Sequence, residues 1–277
     1  MSPTGHSANP GAIVIKIGGT TLEEQSSQSG LWRSLVSLSV KHPGGVALIH
    51  GGGKAVDKHL ERLGFTTERK EGIRITPVDQ IGEIVSVLAG VVNKSIVGSI
   101  NAIGGKAVGL CLGDGGTGGV VTTRKATHYP FDAGRVGSVK NVGHAPLLRV
   151  MLREHYIPVI SSIGIDLEGQ FLNVNADDAA AGVATALKAS ALVLLTDVPG
   201  VMGADKAVIP ELTAAGIESL IHRGVIQGGM VPKVKAALAA SATSGAPVVI
   251  LNGNDPAALA AWIGGERVGT RILSPLK

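Results

Sequence analysis

The chain holds a single cysteine, Cys111, among 277 residues, so it can form no internal disulfide and no cysteine-based zinc site. That fits a reducing compartment, and the cytoplasm is the expectation. Aromatic side chains make up only 3% of the chain, and its basic residues are scattered rather than gathered in a stripe. Stacking platforms for nucleic acid are therefore not expected. No apolar run of about 18 residues is free of a charge or a glycine cluster, and the first ten residues have neither a signal-peptide core nor an Arg-rich helical pattern. Neither a membrane nor a nucleic acid is an expected partner. Charged residues are 17% and hydrophobic ones 44%, which excludes wholesale disorder. The net charge of +4 suits small anions.

Glycine is abundant, with 40 residues beside 13 prolines and no collagen-like period. Short runs rich in Val and Ile alternate with helix-length segments. This is the pattern of β-α units around a mainly parallel sheet with both faces covered, an α/β fold. Strands are expected at 12–17, 46–49, 107–112, 157–161, 192–195 and 247–251. Helices are expected near 31–41, 55–63, 78–103, 147–155, 178–187, 214–222 and 231–244. Residues 114–141 break the alternation, and 164–175 contain an Asp-Leu-Glu-Gly hairpin-type turn; both are expected over one end of the sheet. Residues 1–11 read as a disordered tail, and no linker or internal repeat divides the rest.

Five clusters carry candidate chemistry. Lys16 stands near the end of an apolar strand, followed by Gly18 and Gly19. A lysine there either snorkels to an edge or points over the carboxyl end of the sheet, where open α/β sheets bind ligands. In His50-Gly51-Gly52-Gly53-Lys54, three glycines sit between a strand and a helix. They make a tight turn, or they bare N–H groups for a carboxylate or phosphate. Similar letters occur in lipase oxyanion holes, but the nucleophile elbow G-x-S-x-G is lacking, as is the P-loop pattern. A G-x-G-x-x-G at 113–118 leads into a strand-like run rather than a helix, so glycine abundance accounts for it.

Asn173-Val174-Asn175-Ala176-Asp177-Asp178 opens an alanine-rich helix. Part of it serves as an N-cap, yet two amides and two acids exceed what one cap requires. A surplus acid can orient lysines, and an Asn can bind a carboxylate. Gly228-Gly229-Met230-Val231-Pro232-Lys233 starts another helix, placing Lys233 at the positive end of its dipole, either solvated or facing an anion. Thr196-Asp197-Val198-Pro199-Gly200-Val201 reads as a strand-end turn. Arg74 lies either on the surface or where it can clamp a carboxylate bidentately.

In this order and spacing, K-I-G-G, H-G-G-G, G-I-R-I-T-P, N-V-N-A-D, T-D-V-P-G and G-G-M-V-P-K resemble the amino-acid kinase superfamily, most closely its acetylglutamate kinase branch, across residues 12–272. The resemblance implies a three-layer α/β/α sandwich of the carbamate kinase type. An N-lobe of about residues 12–188 would bind the amino acid and a C-lobe of about 189–277 would bind ATP. It also implies phosphorylation of the γ-carboxylate of N-acetyl-L-glutamate, the second step of arginine biosynthesis. That acceptor is ionised at neutral pH, a free Glu having a pKa of about 4.3, so no general base is required.

By the same resemblance, Lys16 and Lys233 stabilise the transferring phosphoryl group and Asp177 organises the two lysines. N–H groups around Gly19, Gly52 and Gly53 receive the phosphoryl group and the substrate carboxylate, while Arg74 and Asn173 hold the α-carboxylate and its neighbourhood. Asp197, Val198, Pro199, Gly200, Val201, Met202, Val225, Ile226 and Gln227 line the nucleotide pocket. Mg²⁺ is carried mainly by phosphates and water, with no protein metal site. The resemblance further implies a homodimer paired through the helix near 78–103. Arginine-inhibited relatives carry an extra N-terminal helix where this chain has Met1–Gly11, so insensitivity to arginine is expected. A kinase for carrier-linked aminoadipate shares most of these motifs, whereas an appended regulatory domain of the aspartokinase or glutamate 5-kinase kind is not expected after the brief stretch that follows Lys233. A non-catalytic relative would not need both lysines. A PII-type signalling protein is compatible with the family but indicated by no residue here.

Overall fold

The computed structural model describes residues 11–18, 22, 29–116, 119–140 and 143–273. The expected tail therefore falls outside the described residues except for Gly11, and Gly19 falls outside them as well. Fourteen strands form in chain order among the described residues. They are β1 (Ile13–Ile17), β2 (Val46–His50), β3 (Arg69–Lys70), β4 (Ile73–Arg74), β5 (Ala107–Cys111), β6 (Thr122–Lys125), β7 (Val136–Lys140), β8 (Ile157–Ser161), β9 (Ile163–Ile165), β10 (Phe171–Val174), β11 (Ala191–Thr196), β12 (Glu211–Leu212), β13 (Val248–Asn252) and β14 (Thr270–Ile272). The helices are α1 (Ser29–Lys41), α2 (Gly53–Arg62), α3 (Val78–Val85), α4 (Asn93–Ala102), α5 (Pro146–Arg153), α6 (Ala176–Leu187), α7 (Ala214–His222), α8 (Met230–Ser244) and α9 (Pro256–Ile263).

All six Val/Ile-rich runs become strands of one eight-stranded sheet, ordered β12-β14-β13-β11-β1-β2-β8-β5. From β5 to β13 every pairing is parallel, and β14 then runs antiparallel to β13. Side chains alternate across the sheet. Val14, Ala47, Ile49, Leu192 and Leu194 face a core completed by α5, α6, α7 and α8, whereas Ile13, Ile15, Ile17, Leu48, Val193 and Leu195 face α1, α4 and α9. This makes the expected three-layer α/β/α arrangement. The same alternation puts Lys16 on the Val14 face, beneath α6 and α8.

The two irregular stretches pair into a second sheet ordered β6-β7-β10-β9. One residue, Ser162, separates β8 from β9, so this sheet continues beyond the carboxyl edge of the main one. The Asp-Leu-Glu-Gly turn closes the β9–β10 hairpin, with Gly169 N–H donating to Asp166 O at 3.1 Å.

The expected helix at 78–103 forms with a π-helical stretch, Ser86–Val92, between α3 and α4. Val78–Ala102 spans 25 residues, its most apolar 18-residue stretch has a mean hydropathy of 1.5, and among the described residues it is the one helix long and apolar enough to cross a bilayer. Ile84, Val87, Leu88, Ile96 and Ile100 are buried in two of the cores, so one face of the helix packs into the body of the protein. Val78 and Val91 lie outward, 68% and 67% exposed.

Candidate active site

The chain leaves β1 through α1 to β2 on one side and returns through α6 to β11 on the other. Strand order thus reverses at β1, and in an open α/β sheet the crevice at the carboxyl ends beside such a reversal is where ligands bind. Lys16 reaches this crevice from β1, and its Nζ lies 2.9 Å from Asp177 Oδ1. Asp177 sits in the first turn of α6, which Asn175 caps: its Oδ1 accepts the N–H groups of Asp177 at 2.7 Å and Asp178 at 3.4 Å. Asn175 thus supplies the cap, and the Asp177 carboxylate is available to the lysine.

Lys233, in the first turn of α8, is ion-paired and hydrogen-bonded to Asp197, the residue that follows β11. That contact holds the Asp197 carboxyl below its ordinary range despite opposing desolvation. Each lysine therefore has its own carboxylate: Asp177 pairs with Lys16, and Asp197 pairs with Lys233. All four line one cavity with Gly18, Thr196 and Ile250. Beside them, burial and the negative charge of Asp177 push the Asp178 carboxyl up, with His128 opposing.

A second cavity is lined by Gly51, Gly52, Gly53, Arg69, Arg74 and Asn173, among others. Gly52 has φ +152°, and a Cβ there would lie 2.8 Å from Leu88 Cδ2, so only glycine fits. Arg74 is held on three sides. Its Nη1 lies 2.6 Å from Asp57 Oδ1 and donates to Thr67 Oγ1 at 3.2 Å, while Nη2 donates to the Gly53 carbonyl at 3.0 Å. These contacts use fewer than the five N–H donors of a guanidinium, leaving others for a ligand. Asn173 Nδ2 donates to Thr76 Oγ1 at 3.1 Å, and that hydroxyl donates to the Arg74 carbonyl at 3.1 Å.

Asp57 and Arg69 were not expected from sequence. Asp57 Oδ2 lies 2.6 Å from Arg69 Nη2, so one carboxylate binds two arginines. Burial pushes the Asp57 carboxyl up, but Arg74 and Arg69 outweigh that and hold it below the usual range. The available signal was spacing: Asp57 stands four residues after Gly53, on the same face of α2.

Of the expected nucleotide residues, Asp197 lines the lysine cavity, while Val198, Pro199, Gly200, Val201, Met202, Val225, Ile226 and Gln227 do not. Val201 and Ile226 are buried, and the Val201 N–H donates to Thr270 Oγ1 at 2.7 Å. Met202 is exposed, and Gln227 donates to the Gly224 carbonyl.

The amino acid kinase family model matches residues 11–252. The chain belongs to the amino acid kinase family. Its relatives within the family include the acetylglutamate kinase of Colwellia psychrerythraea, 42% identical over 260 residues that cover 94% of this chain and 96% of that protein. The acetylglutamate kinase of Yersinia pestis (strain Pestoides F) is also 42% identical over 260 residues, covering 94% and 98%. The fold is shared with the carbamate kinase from Giardia lamblia bound to AMP-PNP, at a TM-score of 0.64 and 17% identity over 96% of this chain and 99% of that one. It is shared too with the N-acetylglutamate synthase from Neisseria gonorrhoeae, at a TM-score of 0.78 and 23% identity, with 96% of this chain spanning 62% of the synthase chain.

Proposed function

We propose that this amino acid kinase transfers the γ-phosphoryl group of ATP to the γ-carboxylate of N-acetyl-L-glutamate, giving N-acetyl-L-glutamyl 5-phosphate and ADP in arginine biosynthesis. The observation that carries the proposal is the convergence of Lys16 and Lys233 in one cavity, next to a second cavity that presents Arg74, Asn173 and a glycine turn. The identity to acetylglutamate kinases over most of the chain supports this acceptor.

In the reaction, a γ-carboxylate oxygen of the acceptor attacks the γ-phosphorus, and the bond to the β,γ-bridging oxygen breaks with its electrons leaving on ADP. The acceptor is already ionised, so no proton need be removed. Negative charge spread over the transferring group is met by the Lys16 and Lys233 ammonium groups and by backbone N–H groups of the glycine turn. Asp177 and Asp197 balance those ammonium charges and fix their positions before substrate arrives. Arg74, braced by Asp57, takes the α-carboxylate beside Asn173, and Gly19 belongs to the phosphate-binding N–H set. The segments around Asp197, Val198, Pro199, Gly200, Val201 and Met202 and around Val225, Ile226 and Gln227 supply the nucleotide pocket, mainly through backbone where side chains are buried. In this reading residues to about 188 form the amino-acid lobe and the remainder the ATP lobe.

Mg²⁺ accompanies ATP in this reading. Among the described residues no three His, Cys, Asp or Glu side chains cluster to hold a metal, and the two acids of the lysine cavity are committed to lysines. The ion would travel with the triphosphate and water. The enzyme is further proposed to be a cytoplasmic homodimer joined through Val78–Ala102, whose outward valines support that assignment.

The test offers N-acetyl-L-glutamate, free glutamate and N-acetyl-aminoadipate separately with MgATP, traps acyl phosphate with hydroxylamine and measures ADP. Hydroxamate from N-acetyl-L-glutamate alone is expected. No trapped product from any of the three would overturn the assignment in favour of a carrier-linked acceptor or a non-catalytic relative.

A further inference from the structure

His50 and Asn93 are fully buried polar side chains, 0% and 1% exposed, for which the phosphoryl-transfer reading has no use so far. Their hydrogen bonds form a chain with one solution. Asn93 Nδ2 lies 2.9 Å from the Val159 carbonyl and 3.0 Å from His50 Nε2, while Asn93 Oδ1 accepts from Lys94 Nζ at 3.2 Å. A carbonyl only accepts and an ammonium only donates, so both ends fix the amide: nitrogen toward Val159 and His50, oxygen toward Lys94. His50 Nε2 must then accept, which leaves the ring proton on Nδ1. That Nδ1–H meets the Gly51 carbonyl at 2.8 Å. Burial lowers the His50 pKa to about 4, against a smaller opposing effect of the Gly51 contact, so the ring is neutral at physiological pH.

The Gly51 carbonyl belongs to the peptide whose other end is Gly52 N–H. No cis peptide occurs among the described residues, and in a trans peptide the C=O and N–H groups point in opposite directions. Holding the carbonyl down against a buried ring therefore turns Gly52 N–H the other way, toward the cavity that Gly51, Gly52 and Gly53 line. A peptide between two glycines has little conformational preference of its own. Rotated by half a turn, it would present a carbonyl oxygen to an incoming anion, and attraction would become repulsion.

The rest of the neighbourhood is shaped to keep Asn93 in place. The π-helical stretch Ser86–Val92 ends immediately before it, and such interruptions are common where a helix must aim a side chain at a functional site. Leu88, within that stretch, backs Gly52, and on β5 a side chain in place of Gly109 would overlap the Asn93 amide.

We infer that His50 is a positioning residue: with its proton fixed on Nδ1 by Asn93, it locks the Gly51–Gly52 peptide so that Gly52 N–H stabilises the transferring phosphoryl group or the acceptor carboxylate. The inference rests on the proposed phosphoryl-transfer reading and deepens it.

Two variants separate orientation from packing. His50→Leu removes the Nδ1–H donor, whereas His50→Asn carries an amide N–H at nearly the position of Nδ1. With N-acetyl-L-glutamate and MgATP, kcat in His50→Leu is expected to fall about 10²–10³-fold, the loss typical of an oxyanion-stabilising donor. The KM for ATP should stay within about threefold, because the lost interaction is made in the transition state. His50→Asn should recover kcat to within about tenfold of wild type. Equal kcat losses in both variants, or wild-type kcat in the folded fraction of His50→Leu, would overturn the inference. The second readout needs neither turnover nor a variant: ¹⁵N NMR of the histidine ring nitrogens in the wild-type protein. His50 protonated on Nδ1 alone at pH 7 is expected, and an Nε2–H tautomer or an imidazolium contradicts the inference. Absence of wild-type turnover would sink the substrate assignment, and the ring spectrum would still decide the geometry.

Discussion

The Lys16 ammonium lies 2.9 Å from the Asp177 carboxylate at the mouth of the crevice between β1 and β11, with side chains only 16% and 31% exposed. In the proposed reaction this lysine meets the transferring phosphoryl group. Lys16→Ala is therefore expected to lower kcat by about 10²–10³-fold, with a much smaller change in the KM for N-acetyl-L-glutamate. Lys16→Arg should not restore the rate, because a planar fork cannot occupy the place of a compact ammonium beneath α6. Steady-state kinetics with both substrates varied checks this.

Arg74 should behave differently. Its guanidinium is braced by Asp57, Thr67 and the Gly53 carbonyl, and a lysine cannot reproduce that three-sided support. Arg74→Lys is expected to raise the KM for N-acetyl-L-glutamate by about 10–100-fold, the loss of a charged hydrogen bond, and to leave the KM for ATP unchanged. Asp57→Asn should shift the same parameter in the same direction by less. An altered KM for ATP alone would place Arg74 outside the acceptor site.

Asn175 links stability to the site. Its side chain caps α6 through the N–H groups of Asp177 and Asp178. Asn175→Ala is expected to cost about 1 kcal/mol of stability, read from denaturant unfolding. A fall in kcat should accompany it, since the frayed first turn carries Asp177; Asn175→Asp, which preserves the cap, should recover both.

Much of this arrangement is legible in the sequence because strand ends and helix starts announce themselves. The Val/Ile runs mark β1, β2, β5, β8, β11 and β13, and the glycine turn and the Asn-Asp cluster sit where a parallel sheet gathers its loops. Helix α9 escaped because Ala257, Leu259, Ala261, Trp262 and Ile263 leave no polar face and hence no period, although Asp255 and Pro256 are a recognisable cap and first turn. The edge strands β12 and β14 are two and three residues long, too short to show alternation. Thr196-Asp197 looked like a plain turn because its meaning depends on Lys233, 36 residues further on. The contact between His50 and Asn93 spans 43 residues and two elements, which no local pattern encodes.

The buried imidazole also has a pH signature. The pKa of His50 is lowered from 6.5 to about 4, chiefly by burial. A base whose folded pKa lies below its unfolded one contributes stability that is fully present above the unfolded value. That contribution is lost as pH falls through the window from 6.5 to about 4, because the unfolded chain takes up the proton first. Thermal unfolding of His50→Asn should therefore show a shallower loss of stability than wild type over this range. Parallel profiles would contradict the neutral buried ring.

The outward face of Val78–Ala102 makes a prediction about assembly. Replacing Val78 and Val91 by Glu should convert a dimer to a monomer in light scattering, because two charges on an apolar contact face oppose its burial. Arginine should not inhibit the wild-type enzyme. A hexamer inhibited by arginine would contradict this account of the assembly.

The most direct test of the central claim is a crystal structure with a non-hydrolysable ATP analogue, Mg²⁺ and N-acetyl-L-glutamate. The account predicts the γ-phosphoryl group within hydrogen-bond distance of Lys16 Nζ and Lys233 Nζ, the acceptor's α-carboxylate on Arg74, and its γ-carboxylate facing the phosphorus beside Gly52 N–H. A nucleotide whose γ-phosphate lies away from both lysines, or an acceptor bound outside the cavity of the glycine turn, would contradict it.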